Sequence, residues 1–235
     1  MINNGSSYKS DIQDFKSLSE LNSYFKNCVS DVYAQNVLDG KLPDIEPSFV
    51  FGDGKGNEPV VLIGEAPGKD EVKEGRPFVG AAGKILDDLL IRSGIDRGKL
   101  YVTNTVKYRL ARQGKKPGTF ANRPVKQFEI DCCNPWLRSE LAFIKPKLIL
   151  TLGNTALKGV LSCLEYVEFV KGPEGGSSVG DLHGRKFEAS IKGSSGNLLL
   201  IPLYHPASLI YNRSLRPEYE SDLEEVRKCV QSILL

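Results

Sequence analysis

Four side chains in this 235-residue sequence stand out by type and setting: Glu65, Phe78, Asn104 and His205. Glu65 sits in Gly64-Glu65-Ala66-Pro67-Gly68, directly after the apolar run Val60-Val61-Leu62-Ile63. A strand ending this way must turn sharply, because proline fixes φ and glycine reaches conformations closed to other residues. In an open α/β sheet, ligands bind outside the carboxyl ends of strands, so the turn falls where a site belongs. An ordinary tight strand-to-helix turn fits the same residues. It is not a Walker A phosphate loop: Gly64 and Gly68 are one residue too close, and Lys69 precedes Asp70 rather than Ser or Thr. Phe78, in Pro77-Phe78-Val79-Gly80-Ala81-Ala82-Gly83, either stacks on a flat base or staples its own loop from beneath. Asn104 closes Tyr101-Val102-Thr103-Asn104, and its amide either reads a donor–acceptor pair or caps the strand end. His205, in Tyr204-His205-Pro206-Ala207-Ser208, either stabilises a developing anion or tucks against its loop. A carboxylate such as Glu65 can stabilise a cation or position water.

These residues need elements to hold them together. Leu18, Leu21, Phe25, Val29 and Val32 recur at helical spacing and predict a helix over 9–38. The pattern further predicts strands at 60–63, 101–106, 147–152 and 198–203, with helices at 82–92, 126–143, 155–163 and 217–234. A Gly/Ser-rich stretch from Gly172 to Gly196 is expected to carry a hairpin around Arg185–Ile191. Strands separated by helices imply an α/β fold, a mostly parallel central sheet flanked by helices. The chain reads as a single domain over 1–235, with 1–8 as a disordered tail, and shows no repeats or linker. Its length is enough to bury a full core.

Charge is informative through its placement. The net charge is only +2, yet no acidic residue occurs between Asp96 and Glu129. Arg97, Lys99, Lys107, Arg109, Arg112, Lys115, Lys116, Arg123 and Lys126 all fall there. Clustered base of this kind neutralises phosphates and points to nucleic acid, although a solvated basic loop has the same composition. No apolar run approaches the ~20 residues of a membrane span, and Met1–Ser10 is polar. An intracellular, cytoplasmic, soluble protein and a monomer are expected, with no membrane partner.

The Gly-Glu-Ala-Pro-Gly turn, the Pro-Phe-Val-Gly-Ala-Ala-Gly loop and the His-Pro-Ala-Ser segment together resemble the family-4, iron–sulfur-type uracil-DNA glycosylases over roughly residues 20–230. The resemblance implies a uracil-DNA glycosylase-like α/β/α fold and a DNA-repair hydrolase that flips uracil out of single- or double-stranded DNA. It implies base contacts from Gly64, Ala66, Glu71, Phe78 and Asn104, with the ring of Phe78 stacked on the base. Asn104 would pair with uracil O4 and N3–H, a pattern cytosine reverses. His205 would stabilise the anion left on O2. Ala66 stands where other uracil glycosylases carry a water-activating Asp, so Glu65 or Asn122, within Asn122-Arg123-Pro124, is left to manage the water. Glu71 would lie near uracil C5. Lys107, Arg109, Lys115, Lys116 and Arg123 are expected on phosphate, and Ser208-Leu209-Ile210 as the wedge filling the vacated stack. No lysine matches a nucleophile position, so the enzyme is expected to be monofunctional. A silent nucleic-acid-binding homologue and a glycosylase for another deaminated base are the alternatives. His183 is expected as a surface loop residue.

The cysteines depart from the family, which holds a 4Fe–4S cluster on four of them. Only Cys28 and Cys133 match, while Asp31 and Tyr108 occupy the other two positions. Neither is a soft thiolate ligand, so no metal and no cofactor are expected.

Overall fold

An apolar run as continuous as Val60–Ile63 suits a strand covered on both faces, and strand β1 (Val60–Gly64) is buried at every residue. The computed structural model describes residues 15–168 and 177–234. The expected tail at 1–8, the start of the predicted first helix and part of the Gly172–Gly196 stretch lie outside the described residues. The other strands are β2 (Tyr101–Asn104), β3 (Ala111–Gln113), β4 (Phe120–Asn122), β5 (Leu148–Leu152), β6 (Leu164–Val167), β7 (Phe187–Ile191) and β8 (Asn197–Leu203). The helices are α1 (Leu18–Leu38), α2 (Lys69–Glu74), α3 (Ala81–Arg92), α4 (Gln127–Ile144), α5 (Gly153–Cys163), α6 (Val179–Leu182), α7 (Ser208–Tyr211) and α8 (Arg216–Leu234).

The main sheet runs β2-β1-β5-β8-β7-β6. Its first four strands are parallel, with Gly64 opposite Asn104 and Leu152 opposite Leu203. Strand β7 runs antiparallel to both of its neighbours: with β8 it forms a local hairpin through the turn at 192–196, and β6 adds to its other side as the edge strand. Strand β6 escaped sequence reading because Leu164-Glu165-Tyr166-Val167 follows α5 without a turn signal. The β3–β4 hairpin escaped it too, since its three-residue strands show too little alternation to register. Helices α3 and α8 cover one face of the sheet through Leu86, Leu90, Leu223 and Val226. Helices α4 and α5 cover the other through Leu137, Leu141, Leu157 and Val160. Trp136 of α4 anchors a third cluster with α1, and its indole N–H donates to Asn22 Oδ1 at 2.9 Å.

The chain order reverses direction between β1 and β5, which opens a crevice at the carboxyl ends of the parallel strands. Glu65, Asn104, Gly153 and His205 all follow those ends. Beneath them lies a fully buried ion pair. Lys107 Nζ donates to Glu140 Oε2 at 2.5 Å, to Thr103 Oγ1 at 2.6 Å and to the Asn104 carbonyl at 2.7 Å. Tyr101 completes the network by donating to Glu140 Oε1 at 2.8 Å. Both charged side chains have no solvent exposure. A buried pair satisfied on every side is costly to halve, because the remaining charge has no solvent. Lys107→Met is therefore expected to lose about 3–5 kcal/mol in chemical denaturation. The double variant Lys107→Met/Glu140→Met should lose clearly less, and equal losses would remove the case for coupling.

Candidate active site

The crevice is a cavity of about 500 Å³ whose wall includes Glu65, Glu71, Phe78, Asn104, Asn122 and His205. Gly64, which precedes Glu65, shapes it by what it lacks. A Cβ there would stand 2.4 Å from Phe78 Cζ and 2.5 Å from Asn104 Oδ1, so the bare backbone lets ring and amide meet over β1. Asn104 is 3% exposed, and its carbonyl is held by Lys107. Its carboxamide has no hydrogen-bond partner among the described residues and is left to the cavity.

Phe78 sits at φ 54°, a left-handed backbone conformation that costs a bulky residue of order 1–3 kcal/mol. Several contacts hold it there. Arg97 donates to the Phe78 carbonyl at 3.0 Å and the Pro77 carbonyl at 2.8 Å, while pairing with Asp87 at 2.6 Å. Gly83 accommodates the bend, since a Cβ there would lie 2.0 Å from the Phe78 oxygen. Glu71 braces the other side: its carboxylate accepts from the Gly68 amide at 3.0 Å, from Val79 at 3.0 Å and from Gly80 at 2.8 Å. One side chain thus ties the Gly-Glu-Ala-Pro-Gly turn to the Phe78 loop. The Phe78 ring packs into the core and faces the cavity at once, with its centroid 6.0 Å from that of His205.

His205 is oriented by its own turn. The Ala207 N–H donates to His205 Nδ1 at 3.2 Å, which requires a lone pair on that nitrogen and leaves the proton on Nε2. Burial lowers the imidazole's pKa below the usual histidine value, and the nearby Glu65 charge only partly opposes it. The ring is therefore a neutral donor. Glu65 is fixed by Thr155, whose hydroxyl donates to Oε2 at 2.5 Å. Asn122 is exposed at the lip, where its Oδ1 accepts from Arg109 Nε at 3.2 Å.

Several sequence-based assignments change in three dimensions. Lys107 cannot reach phosphate, being committed to Glu140 under the sheet. Nor is Arg123 free, because it grips the buried carboxylate of Glu129 with two contacts of 2.7 Å. Leu209 is not a wedge: it is 5% exposed within the core. Ser208 spends its hydroxyl on the His205 carbonyl at 2.5 Å. Ile210 remains on the cavity rim, and the adjacent Tyr211 is 88% exposed. His183 lies in the turn after α6 and is half-buried and partnered: Nδ1 lies 2.7 Å from Asp222, and its ring is tilted against Tyr204 with centroids 4.4 Å apart. Lys115 and Lys116 stay exposed at the β3–β4 tip. Sequence reading missed Thr155 and Arg97. A threonine at the start of a helix could have flagged the first, but nothing local marks the second.

Residues 51–231 match a family model described as the uracil DNA glycosylase superfamily. The chain is 35% identical over 189 residues to a type-4 uracil-DNA glycosylase of Sulfurisphaera tokodaii, covering 80% of this chain and 77% of that protein. A type-4 uracil-DNA glycosylase of Archaeoglobus fulgidus is 33% identical over 185 residues, 79% of this chain and 83% of that protein. One from Pyrobaculum aerophilum is 31% identical over 210 residues, 89% and 91% respectively. These matches correct the expectation of a cofactor-free chain, because type 4 is the family whose resemblance implies a 4Fe–4S cluster. The residues at the ligand positions do not fit that cluster as they are arranged here. Tyr108, at one ligand position, donates its hydroxyl to Glu129 at 2.6 Å and carries no thiolate.

The Glu71 clamp makes a local prediction. Glu71→Ala strips three backbone amides of a charged acceptor, each such bond being worth about 1.5–3 kcal/mol. Exchange of the Gly68, Val79 and Gly80 amides should accelerate at least about tenfold while core strands keep their protection. Unchanged exchange at all three would sink the clamp.

Proposed function

Because this chain belongs to the uracil DNA glycosylase superfamily, we propose that it is a uracil-DNA glycosylase whose cavity takes a flipped uracil and hydrolyses its N-glycosidic bond. The observation that carries the mechanism is the Ala207 N–H on His205 Nδ1, which leaves Nε2–H to donate to uracil O2. As the bond to the sugar C1′ breaks, its electron pair passes to the base. A fixed donor in a buried setting stabilises that anion far more than a mobile one in water. Phe78 stacks on the base and Asn104 reads O4 and N3–H; both are held from behind, by Arg97 and Lys107 respectively.

Glu65, locked by Thr155, lends negative charge to the sugar cation. Water, positioned by Glu65 or by Asn122 at the lip, then adds to C1′, and its proton passes to the Glu65 carboxylate or to the departed uracil anion. Glu71 keeps the two loops at a fixed spacing and forms the wall near C5, where a thymine methyl would collide with a clamped carboxylate. Ala66 lines the cavity with minimal bulk, and Gly64 beside it leaves room for Phe78 and Asn104. Ile210, with Tyr211 beside it, is the side chain placed to fill the duplex gap. The substrate is DNA, and no helix among the described residues is long and apolar enough to cross a membrane. The reading includes a cytoplasmic monomer acting on single- or double-stranded DNA by a monofunctional route.

An oligonucleotide bearing one uracil, cleaved by alkali after incubation, tests this reading. Asn104→Ala and His205→Ala should each slow excision by on the order of 10²–10³. Failure of the wild type to excise uracil would overturn the assignment. A neutral His205 also predicts excision independent of pH through about 6.5, where an ordinary histidine titrates. Its acidic limb should lie lower, because burial depresses the folded pKa. A limb centred at or above about 6.5 would contradict the neutral donor.

A further inference from the structure

The β3–β4 hairpin lies beside the cavity, and beyond Asn122 at the lip the reaction described above does not use it. Its pairing is Ala111 to Asn122, Arg112 to Ala121 and Gln113 to Phe120. Side chains alternate along a strand, so Phe120 and Asn122 share one face, roughly 6.6–6.8 Å apart along the chain. Asn122 lines the cavity, whereas Phe120 stands further out and is 46% exposed. One guanidinium holds both: Arg109 donates through Nε to Asn122 Oδ1 at 3.2 Å and through an Nη to the Phe120 carbonyl at 3.3 Å.

The hairpin is anchored at both ends. At its root, Arg123 donates to the Ala111 carbonyl at 3.1 Å while it grips Glu129. At its tip, the Gly114 amide donates to Thr119 O at 2.7 Å, and the Thr119 hydroxyl donates to Lys116 O at 2.7 Å. The tip carries Lys115 and Lys116, both exposed, within the stretch from Asp96 to Glu129 that has no internal acid. An exposed aromatic on a braced, basic element is suited to single-stranded nucleic acid, where bases stack on rings and cations track the backbone.

We infer that the β3–β4 hairpin grips the DNA strand beside the flipped nucleotide, with Phe120 stacking on the neighbouring base and Lys115 and Lys116 on the adjoining phosphates. This rests on the cavity accepting a base from DNA. The occupant follows from continuity with the cavity lip and from the charge of the tip. A single exposed phenylalanine is ordinary on a protein surface. Here, the shared face with Asn122 and the common Arg109 contact tie it to the site. The hairpin would therefore favour an unpaired strand, whose neighbouring base is free to leave its stack.

Binding of fluorescent single-stranded oligonucleotides containing one uracil tests the inference, with the base on either side of the uracil present or replaced by an abasic residue. On the intact strand, Phe120→Ala should raise Kd about tenfold without changing the salt slope, and Phe120→Trp should restore binding. On the strand lacking the stacked neighbour, Phe120→Ala should have no effect. Lys115→Ala/Lys116→Ala should instead lower the salt slope by about 1.4, two phosphates' worth on a single strand. Equal losses on intact and abasic strands, or no loss on either, would overturn the stacking role. An unchanged salt slope would overturn the phosphate role. A wild type that shows the neighbour-dependent effect but excises nothing would keep the grip and discard the proposed reaction. Failure of the wild type to bind either strand would discard both.

Discussion

Everything at the carboxyl edge of the sheet rests on a charge placed where water cannot reach it. Lys107 is buried with Glu140, and its remaining donors go to Thr103 Oγ1 and the Asn104 carbonyl. Separating such a pair leaves an unsolvated ion, so the geometry around it is stiff. That stiffness passes directly to Asn104, the end of β2, and through Glu140 to helix α4. Tyr101 shares the same carboxylate, and burial followed by the Glu140 charge pushes its phenol's pKa up, keeping it a donor. The Asn104 end of β2 is thus supported by a network whose members cannot move independently.

A second constraint works on the opposite wall. Phe78 occupies a backbone conformation that a phenylalanine adopts only under compulsion, and Glu71, Arg97 and Gly83 supply the compulsion from three sides. Strain of this kind persists where surrounding contacts over-determine it. The result is a ring held against Gly64 and facing His205 before any ligand arrives. With His205 in one tautomer and Glu65 locked by Thr155, the cavity is organised in advance, which is what electrostatic stabilisation of a developing anion requires.

The basic segment divides into two kinds of charge that composition cannot distinguish. Lys107, Arg123 and Arg97 are structural, each committed to a carboxylate: Glu140, Glu129 and Asp87. Lys115 and Lys116 are exposed on a hairpin tip and remain available to a polyanion. Around Tyr108, the Arg123–Glu129 pair also fixes the hairpin's root, where the family pattern would place a cluster ligand. Burial pushes the Glu129 carboxyl up, but hydrogen bonds from Arg123, Tyr108 and the Lys126 amide outweigh it and hold it below the usual range.

By itself the sequence determined the parallel core and singled out four side chains that line one cavity. Continuous apolar runs such as Val60–Ile63 and Leu198–Leu203 have one stable fate, and Gly-Pro turns at strand ends are local signals. Strands β3, β4 and β6 were too short to show a period. Local pattern also could not decide what each side chain contacts. Whether Lys107 meets phosphate or Glu140, whether Leu209 wedges or packs, and whether Glu71 faces solvent or clamps two loops are questions of distance between residues far apart in the chain. Glu140 lies 33 residues from Lys107, and Thr155 lies 90 from Glu65. Only packing brings them together, because a buried charge or donor takes whatever partner the fold delivers, and that choice leaves no periodicity to read.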